Sequence, residues 1–132
     1  MNIGLTRIIL YVHDVERLSA FYREAFGLTV VEHIADEWAV LAAGACEIAL
    51  HRVGQAYRTS DPGASQGGSN AKLVLSIDGD IAALRATLAA KGVRLGDIKS
   101  YPGTGRLCDG RDPEGNVFQL AEPPAPGFTG TA

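Results

Sequence analysis

Asp112-Pro113-Glu114-Gly115-Asn116-Val117-Phe118-Gln119-Leu120 reads as a tight turn running into a strand. Asp suits the first turn position, Pro pre-sets φ at the second, and Gly supplies the residue that needs positive φ. Val117, Phe118 and Leu120 then have strand character. Side chains alternate along a strand, so Val117, Gln119 and Ala121 share one face and Phe118 and Leu120 the other. Gln119 thus points the same way as two small apolar residues. What fills that side is the functional question.

Working back from this hairpin, Arg106–Cys108 and Val93–Ile98 are strand candidates. Before them Ile81, Leu84 and Leu88 have helical spacing, with Asp78 or Asp80 as the cap and Gly92 as the stop. Lys72–Ile77 is an apolar strand. The same order occurs earlier. Ile8–Val12 is a short apolar strand, and Asp14 is an N-cap candidate. Leu18, Phe21, Tyr22, Ala25 and Phe26 then line one helix face, and Gly27 sits where a helix wants its left-handed terminator. Leu28–His33, Glu37–Leu41 and Cys46–His51 follow as strands of a meander, punctuated by Asp36 and Ala43-Gly44. If its ring is fully buried, Phe21→Ala is expected to cost about 3–5 kcal/mol.

Arg7 and Lys72, Asp14 and Asp80, and Gly27 and Gly92 correspond at an offset within one residue of about 65, in the same element order. The chain therefore reads as an α+β fold of two βαβββ modules, about 6–53 and 71–122. A Gly- and Ser-rich linker over 54–70 joins them, and a Pro/Gly-rich tail over 123–132 is expected to be poorly ordered. Together, residues 1–122 make one domain. Each helix carries one apolar stripe and so must cover a sheet face.

Bulk properties exclude several classes. The chain has 132 residues, is 46% hydrophobic and 20% charged, and carries a net charge of −3. That suits a globular protein and argues against nucleic acid, which wants a basic face. No apolar run approaches a membrane span, and Ile8–Val12 is too short for the core of a signal peptide. Cys46 and Cys108 make neither a metal nor a disulfide pattern and read as small buried hydrophobes. A cytoplasmic location with both thiols reduced is expected.

The two-module order resembles the vicinal oxygen chelate superfamily, the group of glyoxalases, bleomycin resistance proteins and extradiol dioxygenases. The pieces that carry the resemblance are Ile9-Leu10-Tyr11-Val12-His13-Asp14 running into Phe21-Tyr22, then Phe26-Gly27-Leu28, and the closing Asp112-Pro113-Glu114-Gly115-Asn116. It covers Thr6 to Glu122. The resemblance implies that the modules form one cupped mixed β-sheet with both helices outside. It also implies four metal-ligand positions in the family's metal enzymes, matched here by Arg7, Ala49, Lys72 and Gln119. A register slip of two at Ala49 would bring Glu47 or His51 instead. Two cations, one residue without a donor and one amide are a poor set for a divalent metal. No metal and no cofactor are therefore expected.

Those positions face the hollow of the cup, and alternation brings their neighbours with them. The expected cleft is lined by Arg7, Tyr11, Trp38, Glu47, His51, Lys72, Tyr101 and Gln119. Arg7 and Lys72 are candidates for an anionic or carbonyl-bearing ligand; alternatively both reach solvent or pair with Glu47. His51 is a candidate general base or a structural imidazole. Tyr11 and Trp38 are candidates for stacking or ordinary packing. Tyr101 borders the cleft from a loop, or merely packs there. The resemblance implies a small-molecule-binding protein of the resistance type that sequesters an antibiotic or metabolite, as a homodimer with its cleft at or near the interface. The alternative is a lyase, isomerase or extradiol-type dioxygenase, either metal-dependent or using His51 or Glu47 for proton transfer. The sequence leaves catalysis open.

Overall fold

The computed structural model describes residues 1–58, 70–103 and 105–124. The chain divides into two compact units, Met1–Ser65 and Gln66–Ala132. Most of the expected linker, residues 59–69, and most of the expected tail, residues 125–132, lie outside the described residues.

The first unit runs β1 (Arg7–Val12), α1 (Val15–Phe26), β2 (Thr29–Ile34), β3 (Trp38–Ala43) and β4 (Cys46–Arg52). Its sheet has the order β1-β4-β3-β2, with β1 parallel to β4 and the other neighbours antiparallel. The helix begins where the Asp14 carboxylate accepts the Arg17 N–H at 3.0 Å, which satisfies one of the orphan donors of a helix start. It ends at Gly27, at φ 68°, whose N–H donates to the Arg23 carbonyl. Asp36 takes φ 64° in the β2–β3 turn, a conformation that Asp tolerates better than most residues.

The buried stripe of α1 differs in detail from the expected one. Val15, Leu18, Ser19 and Tyr22 are its buried residues, and the helix packs on β3 and β4. Phe21 is only half-buried. It sits at the margin of the stripe, its ring edge-on to Tyr22 and Phe26 at 5.2 and 5.7 Å. Below the helix, Val12, Ala39, Leu41 and Leu50 are fully buried.

The second unit runs β5 (Leu73–Ser76), α2 (Ile81–Ala90), β6 (Arg94–Leu95), β7 (Lys99–Tyr101), β8 (Gly105–Arg111) and β9 (Val117–Glu122). Its order, β5-β9-β8-β6 with β5 parallel to β9, repeats that of the first unit. Of the two cap candidates, Asp80 caps α2, accepting the Ala82 N–H at 2.9 Å. Gly92, at φ 86°, follows the last cap residue, Lys91.

The strand expected over 93–98 is instead two short ones, β6 and β7, both paired with β8. Gly96-Asp97 breaks it, two residue types depleted in strands, and the Gly96 N–H donates to the Asp109 carbonyl at the break. Conversely, β8 runs three residues beyond the expected Cys108. Gly110 lies inside it because a side chain there would collide with the Phe118 ring and with Leu95, a common reason for glycine in a strand.

The hairpin between β8 and β9 is held by both backbone and side-chain bonds. The Gly115 N–H donates to the Asp112 carbonyl at 2.8 Å, and Gly115 takes φ 81°. The Asp112 carboxylate accepts the N–H groups of Glu114 and Asn116 and the Asn116 amide, each at 2.9 Å. Asp112 is fully buried, and those bonds replace the water it has lost. After the turn, Phe118 and Leu120 are fully buried, which leaves Gln119 on the other face.

Candidate functional site

In the first unit, strand register gathers five of the candidate residues on one face. Arg7 pairs with Glu47, Ile9 with Ala49, and Tyr11 with His51 across β1 and β4. Trp38 pairs with the same His51 across β3. Two guanidinium nitrogens of Arg7 donate to one Glu47 oxygen at 3.1 and 2.9 Å. The Arg7 guanidinium lies 5.5 Å from the Trp38 ring centre, within cation–π range. Glu32 closes the group: it is 3.6 Å from Arg7 and accepts the Trp38 indole N–H at 3.0 Å. The His51 ring sits 5.4 Å from Tyr11 and 5.6 Å from Trp38. The expected alternative of a pairing between Arg7 and Glu47 is present.

In the second unit, Lys72, Tyr101 and Gln119 line a pocket of about 350 Å³, together with Asp97, Lys99 and Asp109. That volume is at the small end for ligand sites. Lys72 does not reach solvent alone. Its ammonium lies 2.6 Å from one Asp109 oxygen, and the Gln119 amide N–H donates to the other at 2.9 Å. A carboxylate only accepts, so the Gln119 NH₂ is committed to it and the amide oxygen is left as an acceptor. Burial pushes the Asp109 carboxyl up. The hydrogen bonds from Lys72 and Gln119 and the charges of Lys72 and Lys99 outweigh it and hold the group below the usual carboxylate range.

Elsewhere two more carboxylates are held low. Glu122 bonds Arg106 and the Ile81 N–H, and Glu16 bonds His33 and the Asp36 N–H. A folded-state pKa below the unfolded value, about 4 for these groups, means stabilisation that is present above that pH. It is lost as pH falls through the folded value. Denaturant midpoints should therefore drop below about pH 4. The gap between wild type and Asp109→Asn should narrow over the same range, and a constant gap would contradict the Lys72–Asp109–Gln119 account.

The cysteines are free. Cys108 is buried, and burial pushes its thiol up; Cys46 is only half-buried.

The residues matching the metal positions do not suit a divalent cation. Arg7 and Lys72 bring positive charge, and the nearest carboxylates, Glu47 and Asp109, are already bound to them. Ala49 lies at its expected place opposite Ile9 and has no donor. Among the described residues, no group of three or more His, Cys, Asp and Glu is placed to hold a metal. No described helix is long and apolar enough to cross a membrane.

Two βαβββ repeats, each with a polar group on the sheet face at its first strand, define an α+β protein of the vicinal-oxygen-chelate kind. The sequence model of the Glyoxalase/Bleomycin resistance protein/Dioxygenase superfamily matches residues 4–120, and the chain belongs to that superfamily. No curated protein matches. Among solved structures, the chain is similar to TnmS3, an antibiotic binding protein from Streptomyces sp. CB03234. Identity is 26% and TM-score 0.72, over 94% of this chain and 99% of that one. It shares its fold with lactoylglutathione lyase from Agrobacterium tumefaciens (19%, TM-score 0.72, 95% and 97% covered). The same holds for the fosfomycin resistance protein FosX from Listeria monocytogenes (17%, TM-score 0.74, 95% and 97% covered).

Proposed function

We propose that the chain is a metal-free binding protein for a small organic molecule, sequestering an antibiotic or a metabolite. The observation that carries this reading is the state of the acidic donors. Glu47 is neutralised by Arg7 and Asp109 by Lys72, so the groups that would hold a metal are spent on cations. The similarity to TnmS3 supports a binding role. Glu47, held by Arg7 through one of its oxygens, is a weak candidate for proton transfer. The exposed His51 ring lies beside those of Tyr11 and Trp38, and among the described residues no hydrogen bond fixes its tautomer.

Each unit offers groups that suit a ligand. Tyr11, Trp38 and His51 offer aromatic surface beside the Arg7–Glu47 pair. Lys72, Tyr101 and Gln119 offer a donor, a ring and an acceptor. An anionic or carbonyl-bearing group on the ligand suits Lys72, which exchanges part of its bond to Asp109 for the ligand. The protein works as a cytoplasmic homodimer, without a cofactor, and its cleft lies at or near the dimer interface.

Trp38 is the chain's one tryptophan, so its emission reports on the site. Aromatic antibiotics and metabolites titrated against the protein should include at least one that quenches it saturably. By calorimetry with that compound, Lys72→Ala and Trp38→Ala should each weaken binding by more than about 1 kcal/mol, the level reached by a minority of contact residues. If neither does, the ligand binds elsewhere.

A further inference from the structure

One carboxylate sets the polarity of the pocket in the second unit. Asp109 stands directly opposite Gln119 across β8 and β9, and its own carbonyl accepts the Gly96 N–H at 2.8 Å. Its two side-chain oxygens are divided between two neighbours. One takes the Lys72 ammonium at 2.6 Å and the other the Gln119 amide N–H at 2.9 Å. Burial pushes the Asp109 carboxyl up, but those bonds and the charges of Lys72 and Lys99 hold it below the usual carboxylate range. It is therefore ionised near neutral pH, and an ionised carboxylate only accepts. The Gln119 amide must turn its NH₂ to it. The amide oxygen is then the group that Gln119 offers to the pocket, and among the described residues nothing donates to it.

We propose that Asp109 is a positioning residue: by fixing the Gln119 amide it makes this pocket select a ligand edge that pairs a carbonyl with an adjacent N–H, as in a lactam or imide. The proposal rests on the small-molecule-binding reading and narrows its ligand class. Lys72 can only donate, so its remaining N–H groups take the ligand's carbonyl. The Gln119 oxygen takes the ligand's N–H. Both groups lie against one carboxylate, which sets the two recognition points side by side, like the acceptor and donor of a cis-amide edge. Tyr101 and Leu107 line the same pocket and offer apolar surface to the ring that carries the amide. A ligand that brings an acceptor to the Gln119 oxygen strips it of water and supplies no donor, and a site built for a hydrogen bond rejects such an analogue.

One substitution should invert this selection. In Asp109→Asn the new amide must turn its oxygen to Lys72, which only donates, and therefore its NH₂ to Gln119. Gln119 then accepts that bond with its oxygen and shows its own NH₂ to the pocket. The favoured ligand edge changes from donor to acceptor, while the shape of the pocket is kept. A purely structural Asp109 would instead weaken every ligand alike.

The test titrates two bicyclic probes against isotope-labelled protein by NMR: carbostyril, a lactam, and coumarin, which has a ring oxygen in place of the N–H. Wild type should bind carbostyril roughly tenfold more tightly or better. Asp109→Asn should lose that preference or reverse it. Its Gln119 side-chain NH₂ signals, identified by their loss in Gln119→Met, should move toward those of an amide in water. Lys72→Met keeps the bond between Asp109 and Gln119, so it should bind both probes more weakly and retain the preference. That variant carries the test if circular dichroism shows Asp109→Asn unfolded. A preference kept in a folded Asp109→Asn, or lost in Lys72→Met, overturns the role of Asp109. A wild type that binds the two probes equally, or neither, overturns the ligand class. Saturable quenching of Trp38 by some other compound would then leave the binding reading standing, and its absence would overturn that reading too.

Discussion

Asp112→Ala is expected to cost about 3–5 kcal/mol of folding stability, because a buried carboxylate that accepts three hydrogen bonds leaves all three donors behind. Two of those donors are the backbone N–H groups of Glu114 and Asn116, and the third is the Asn116 amide. The turn they shape sets the register of β8 against β9, and β9 in turn holds Phe118 and Leu120 in the core. Asp112→Asn keeps one oxygen for the two backbone donors but turns an NH₂ toward the Asn116 amide, and should cost about 1–2 kcal/mol. Urea denaturation measures both. Equal losses in the two variants would mean that the turn depends on charge rather than on accepted bonds.

Tyr22→Ala carries the second large effect, about 3–5 kcal/mol, the usual range for deleting a buried ring. Tyr22 is fully buried. Phe21→Ala should cost less, about 1–2 kcal/mol, because the ring is half-buried and already meets water. The sequence points to Phe21, since an apolar ring is the better core residue and both positions fall on the helix stripe. Only the direction in which α1 leans on β3 and β4 decides between neighbours. If Phe21→Ala proves the costlier change, the packing of α1 described above is wrong.

The fold was legible in the sequence wherever backbone chemistry is local. Asp14, Gly27 and Asp80 do at the helix ends what their residue types predict. Asp112-Pro113-Glu114-Gly115 makes the turn its composition calls for. The split of 93–98 into β6 and β7 was not legible, because Val93, Leu95 and Ile98 outweigh one Gly-Asp pair in any local reading. What breaks the strand is the bond from Gly96 to the Asp109 carbonyl.

The site was legible only in part, and for a related reason. Arg7, Glu47, Tyr11, His51 and Trp38 share a face because β1, β4 and β3 pair in register, which alternation anticipates. Glu32 and Asp109 were missed. Asp109 stands in a run of charged and small residues, Asp109-Gly110-Arg111-Asp112, that looks like loop. A signal for it existed: the hairpin turn pairs Asp112 with Asn116, and three steps back along both arms place Asp109 opposite Gln119, as observed. Lys72 comes from 37 positions away, and nothing local announces that contact. Glu32 reaches Arg7 and Trp38 from a strand whose register shifts between Val30 and Glu32, and a shift of that kind defeats strict alternation.

The central claim is that cations occupy the acids a metal would need. Elemental mass spectrometry on the purified protein tests it most directly. The account predicts no stoichiometric Zn, Ni, Fe or Mn. Near one equivalent of any of them, bound through two of Arg7, Glu47, His51, Lys72 and Gln119 and lost when those residues are replaced, would contradict it.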